Sequence, residues 1–189
     1  MRKYKPYIIV LSLFYGIIFL LPIISFENYS ILSNTTSHLG AQKAPFNWIM
    51  NGGFIALGIV TIFYGKERTA NYPIAKVLIY VFGISLIGTA LFQHRPLTGE
   101  EANMIVDAFH SIFATSTGFS FSILAIVMYF ILIEPKDKAL AIALAVIAIL
   151  IPILMQAIPS YQGLLQRLMF ILAFTWLLYT FYKLEKIDE

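Results

Sequence analysis

Cysteine is absent from the 189 residues. That removes disulfides, thiolate metal sites and a cysteine nucleophile, and leaves the redox compartment unmarked. Charge is scarce as well: 12% of the residues are Asp, Glu, Lys or Arg, against roughly 25% in an ordinary soluble domain. There is no H-E-x-x-H, no G-x-S-x-G and no phosphate-cradling glycine loop, so the metalloprotease, serine-hydrolase and nucleotide-binding signatures are all missing. No acidic residue falls in the deep part of an apolar run, which speaks against a proton-coupled or sodium-coupled carrier. The net charge of +3 is small and scattered; it gives no footprint for nucleic acid.

What the chain has instead is hydrocarbon. Hydrophobic residues make up 59% of it, and the mean hydropathy is +0.81. Apolar runs about twenty residues long recur, the length that crosses roughly 30 Å of bilayer core. Spans are expected at about 6–25, 46–64, 73–93, 107–133, 139–157 and 164–182, the fifth interrupted by Pro152. Barrel strands would be half as long and would alternate, so the expected fold is all-α. It is a six-helix transmembrane bundle forming a single integral domain over 1–189. The run after the basic "MRKYK" is too long for a signal core and lacks a small-residue cleavage site, so it reads as a retained anchor.

Basic residues set the expected orientation. Arg2, Lys3, Lys5, Lys66, Arg68, Lys76, Lys136, Lys138, Lys183 and Lys186 fall on one side, and only Lys43, Arg95 and Arg167 on the other. Ten against three is a positive-inside bias. It places both termini in the cytoplasm of a cell (plasma) membrane protein, and six spans do require both termini on one side. The connections 26–45 and 94–106 and the stretch before the sixth span then face outward. All three histidines, His38, His94 and His110, lie there or one turn below, with Asp107, Glu100, Glu101, Arg95 and Arg167.

The fourth span carries a small and polar stripe. Asp107, His110, Ser111, Ala114, Gly118 and Ser122 share one face, with Phe109, Ile112, Phe113 and Ile123 broadly opposite. Such a stripe turns inward, because polar groups are costly in hydrocarbon and small residues permit close helix approach. Asp107 and His110 are three apart and within reach of each other. They form either a functional carboxylate–imidazole pair or a helix cap beside an interfacial histidine. Asn47 and Asn51 share a face of the second span beside Gly52 and Gly53. That arrangement suits interhelical hydrogen bonding at a close crossing, or a donor array for a polar headgroup. Arg167 either snorkels or, with Gln166, binds a phosphate or carboxylate. Ser37 reads as a turn or cap residue, or as a catalytic hydroxyl folded over the second span.

The stretches "TSHLGAQKAPFNWIMNGG", "LFQ", "DAFHSIFA" and "GLLQRL" resemble the bacterial and archaeal membrane family catalogued as domain of unknown function 998. The resemblance covers nearly the whole chain and maps the family pattern onto Ser37, Gly40, Asn51, His110 and Arg167. Two positions depart from it: His38 stands where the family often has an acidic residue, and Phe92–Gln93 where it usually has Phe-Pro. His94 has no family counterpart, so a three-histidine metal site would be private to this chain. More distantly, the inventory Ser37, Asp107, His38, His94 and His110 is similar to the serine, aspartate and three histidines around zinc in alkaline ceramidases and progestin/adiponectin receptors. Those proteins have seven spans and a paired H-x-x-x-H that this sequence lacks.

Three functions follow from these residues. The first is an outward polar pocket binding or sensing a membrane lipid headgroup or small amphiphile through Asn47, Asn51, Gln166 and Arg167. The second is a metal-dependent hydrolase of lipid amides or esters. There His38, His94 and His110 hold zinc, while His110, Asp107 and Ser37 supply the catalytic groups. The third is a small transporter or a membrane-complex subunit, packed against a protein partner or a second copy.

Overall fold

The structure, a computed structural model, describes residues 2–97, 99 and 101–188; Glu100 lies outside the described residues. Within them the chain is all-helical. The elements are α1 (Lys5–Leu20), α2 (Thr36–Leu39), α3 (Asn47–Arg68), α4 (Pro73–Leu91), α5 (Met104–Ile131), α6 (Pro135–Ala157) and α7 (Gln162–Asp188). A 3-10 turn over Leu21–Ile24 extends α1. Six helices are long and apolar enough to cross a membrane. They follow one another around the bundle, and α7 returns against α1 and α3.

Local chemistry sets the helix starts. Proline within the first two positions opens α1, α4 and α6, where its missing N–H costs nothing and its fixed φ suits a first turn. Pro135 therefore starts α6 four residues before the apolar run at 139. Asn103 caps α5, its side chain accepting from the amides of Ile105 (3.1 Å) and Val106 (3.2 Å). The helix thus begins ahead of Asp107, and Asp107 is not the cap. Pro152 does not end α6; it removes one backbone donor from within the helix.

The bundle interior is aromatic. Phe14 lies 5.6 Å from Phe54 and 5.8 Å from Phe170 and Phe174, ring centre to ring centre, so α1, α3 and α7 meet through rings in tilted and edge-on contacts. At the end of the bundle that holds both termini, Glu185 binds Lys3 (2.8 Å) and the Tyr4 hydroxyl (2.7 Å). Asp137, 3% exposed, accepts from Tyr179 (2.6 Å) and faces Lys183 at 2.9 Å. This buried carboxylate was not anticipated, because it stands in the first turn of α6, outside the apolar run.

The close helix crossing is at Gly58 and Gly83. A Cβ on Gly58 would sit 2.7 Å from the Gly83 carbonyl, and one on Gly83 would sit 2.9 Å from the Gly58 carbonyl. Gly52 faces open space, and Gly53 packs tightly against the Phe14 and Ile17 side chains of α1, at 3.2 and 3.4 Å from a Cβ placed there, so of the expected pair one glycine meets a neighbouring helix, through side chains and not backbone. Gly58→Leu is expected to lower stability by about 1–3 kcal/mol through overpacking. Gly16→Ala, with nothing within 4 Å of the new methyl, should be neutral or gain up to about 1 kcal/mol. Thermal unfolding in detergent separates the two, and equal melting temperatures would contradict the crossing.

Candidate functional site

Residues 26–46 fold back over the end of the bundle opposite the termini; this segment is called the cap below. Arg167, 0% exposed, holds it. Its Nε donates to the Ile18 carbonyl (2.9 Å), and its Nη1 faces the carbonyls of Ile31 (3.0 Å), Asn34 (2.9 Å) and Gly163 (2.9 Å). Its Nη2 donates to the Tyr29 hydroxyl at 2.7 Å, and that hydroxyl lies within reach of the Asn34 and Thr35 carbonyls. Burial pushes the Tyr29 phenol upward, with the neighbouring guanidinium partly offsetting it. The amides of Gly163 (2.8 Å) and Leu164 (3.1 Å), in the first turn of α7, donate to the Leu32 carbonyl. A Cβ on Gly163 would overlap the Ile31 and Asn34 carbonyls, which is why the cap needs glycine there.

The opposite edge of the cap is fastened by amides. Asn47 donates to the Ala41 carbonyl (3.1 Å) and Asn51 to the Gly40 carbonyl (3.0 Å). A Cβ on Gly40 would strike the Asn51 carboxamide. Gln42 donates toward the Gln93 and Asn103 carbonyls (3.2 Å each) and accepts from the Asn103 amide (2.9 Å), tying the cap to the connection before α5. Gln166 accepts from both the amide and the hydroxyl of Thr36 at 2.7 Å. The sequence suggested Asn47 and Asn51 as packing amides or ligand contacts, and Arg167 as a snorkelling or anion-binding side chain. In the structure each donates to the chain's own carbonyls, which gives the irregular backbone of the cap partners within the protein.

The three histidines gather in a row, His94 stacked on His110 and His38 tilted against His94. His94 lies between the other two, 5.1 Å from His38 and 5.0 Å from His110, centre to centre. Asp107 does not pair with His110, three residues on. It binds His94 Nδ1 at 2.6 Å and accepts from the Arg95 amide at 2.8 Å. His110, 6% exposed, points Nδ1 at the Thr89 (2.9 Å) and Phe92 (2.8 Å) carbonyls. It thereby caps the C-terminal end of α4, whose last carbonyls have no helical donor.

These partners fix the tautomers. His94 and His110 carry the proton on Nδ1, facing acceptors. His38 takes the opposite form, because its Nδ1 must accept from the Thr35 amide at 3.1 Å. Burial, reinforced by His94, Arg95 and His110, pushes the His38 imidazole down to about 4 from 6.5. Every Nδ1 of the three rings is thus engaged within the protein. Among the described residues no group of three or more His, Cys, Asp or Glu side chains is disposed to hold a metal ion.

Beneath the cap lies a cavity of about 570 Å³ that none of the imidazoles lines. Its floor is apolar: Phe54, Phe82, Phe121, Ala148, Ala173 and Phe174. No Asp, Glu, Lys, Arg or His lines it among the described residues. Ala114, Gly118 and Ser122 of α5 border this hollow. Part of the small-residue stripe of α5 thus walls a cavity, while Ser111 is exposed. Phe113, expected to face lipid, instead packs over Gly88 and stacks on Phe92 at 5.4 Å.

The hydroxyls of Thr89, Thr117 and Ser122 donate to carbonyls of their own helices. The side chains of Ser37, Thr115 and Gln156, and the amide nitrogen of Gln166, make no hydrogen bond within the described residues. All four residues line the cavity. Of the residues singled out from sequence, then, Ser37, Ala114, Gly118, Ser122, Pro152 and Gln166 line the cavity, and the histidines, Asp107, the asparagines and Arg167 do not. Thr115 and Gln156 were missed: Gln156 stands in the last turn of α6, and Thr115 lies about three turns inside α5, where nothing in the sequence set it apart from its neighbours.

Six spans, a folded cap over one end and an apolar hollow beneath it define a multi-pass helical membrane protein. The chain belongs to the family described as Protein of unknown function (DUF998), which it matches over residues 8–181. No curated protein and no solved structure matches it.

Arg167→Met removes the guanidinium donors from the carbonyls of Ile18 in α1 and of Ile31 and Asn34 in the cap, at about 1–3 kcal/mol for each one left buried without a partner. Expected are a loss exceeding about 3 kcal/mol and new proteolytic cleavage within 26–46. Arg167→Lys should not rescue either, since one ammonium cannot reproduce the planar fork; a protease-resistant cap in both variants would refute the clamp. His38 also gives stability a pH dependence. Above pH 6.5 the imidazole is neutral in folded and unfolded chains alike. Between 6.5 and about 4 the unfolded chain binds a proton that the folded chain refuses, so stability falls as the pH falls. His38→Gln keeps an acceptor for the Thr35 amide and should make the melting temperature fall less steeply over that window than in the unsubstituted protein.

Proposed function

We propose that this protein binds an amphiphile drawn sideways from the surrounding bilayer, with the acyl chain in the cavity and the polar end beneath the cap. The observation that carries the reading is the segregation of the cavity wall. Its deep surface is apolar, and its uncommitted polar groups, on Ser37, Thr115, Gln156 and Gln166, stand on the helices and cap that close it. The lining residues that are exposed belong to α5 and α6: Phe119 is 65% exposed and Ile153 is 56% exposed. The opening therefore lies between those two helices and faces lipid, not water.

The size agrees. At roughly 30 Å³ for each water-sized group, the cavity holds about twenty non-hydrogen atoms, enough for one chain and a small head. It falls within the roughly 300–1,000 Å³ of ordinary ligand sites. The positive-inside distribution supports an orientation with the cap outside, so that the ligand enters from the outer leaflet of the plasma membrane.

One observation favours a second reading, hydrolysis. Asp107 holds His94 Nδ1 at 2.6 Å, the arrangement that orients an imidazole and leaves its Nε2 free as a base. Incubating the protein with amide and ester lipids tests it: turnover lost in Asp107→Asn supports hydrolysis, and no turnover in the unsubstituted protein ends it.

Binding is read through tryptophan. Trp176 is 3% exposed and packs edge-on against Phe121, a cavity residue, at 5.6 Å. The other tryptophan, Trp48, is 69% exposed and is removed as Trp48→Phe. In nanodiscs, a monoacylglycerol with a brominated chain is expected to quench Trp176. Gly118→Phe, whose side chain enters open space, should weaken that quenching at least tenfold while leaving the melting temperature unchanged. Equal quenching in the two proteins would refute the reading.

A further inference from the structure

Resting on that reading, we infer that the site selects amphiphiles with an uncharged, hydrogen-bonding head, of the glycerol, alcohol or amide kind, over those with a phosphate or carboxylate. A chain that enters from the bilayer leaves one hydrocarbon medium for another, so its burial gives little preference of its own. Selection falls to the head. The groups that meet the head are two hydroxyls and two carboxamides, and none carries charge. Ser37 and Thr115 both donate and accept. Gln156 offers an amide with both functions, and Gln166 offers N–H, its oxygen being taken by Thr36.

The cations nearest in sequence are withheld from this wall. Arg167 is enclosed, with Nε, Nη1 and Nη2 all bonded to carbonyls or to Tyr29. Arg95 borders a separate hollow, beside the neutral imidazole of His38. An anionic head would therefore shed water and counterions without gaining a charged partner, which is costly. A polyol or amide head exchanges its water for hydrogen bonds of like strength.

The test uses the Trp48→Phe protein in nanodiscs and two probes with the same brominated chain, a monoacylglycerol and a lysophosphatidate. The monoacylglycerol is expected to quench Trp176 at a tenfold or lower mole fraction than the lysophosphatidate. Equal quenching by both, abolished in each case by Gly118→Phe, would overturn the inference and leave the cavity reading intact. Quenching by neither would overturn that reading itself. Gln156→Lys places a cation at the mouth on an exposed side chain without hydrogen-bond partners, where folding is not at stake. It should narrow or reverse the preference. An unchanged ratio with a normal melting temperature would show that the head does not lie there, and the inference would fail.

Discussion

Arg167 is the point on which the cap, and so the cavity, depends. A long stretch of irregular chain folded against a lipid-embedded bundle carries many carbonyls that neither water nor a helix ladder satisfies. One guanidinium supplies donors to the end of α1, to two places in the cap and to the first turn of α7 at once. Its planar fork suits that task, and its complete burial is tolerable because each nitrogen has a partner. Gly163 leaves room for those carbonyls to approach, so the arginine and the glycine four residues before it form one device.

Division of labour among the polar groups follows from that anchoring. Amides, and the Nδ1 atoms of the imidazoles, are engaged in holding the cap, meeting Asp107 and ending α4, while a few neutral groups stay uncommitted on the cavity wall. The imidazole row belongs to the first set. Its Nδ1 atoms serve Asp107, the α4 carbonyls and the Thr35 amide, and none of the three rings lines the hollow. A ligand site here is defined by what the fold leaves unpaired.

The spans were legible because hydrocarbon imposes length and composition on each helix independently. Their ends were less so: Pro135 and Asn103 moved two starts toward the termini through first-turn chemistry. The bonding of the site was harder still. Spacing suggested that Asp107 meets His110, yet the rigid geometry of α5 presents the carboxylate to His94 across the connection from α4. Gly52–Gly53 looked like the crossing, but backbones meet at Gly58 and Gly83, since the register between α3 and α4 is a property of both helices together.

By itself the sequence determined an all-helical, six-span membrane protein of the DUF998 family and the clustering of its chemistry near one end, because hydropathy, charge and short motifs act locally along the chain. Only the tertiary structure decided which polar groups are spent and which remain. A hydrogen bond is a relation between residues far apart in sequence: Arg167 stands 149 positions from Ile18, and Thr36 stands 130 from Gln166. No periodicity within either segment records that meeting.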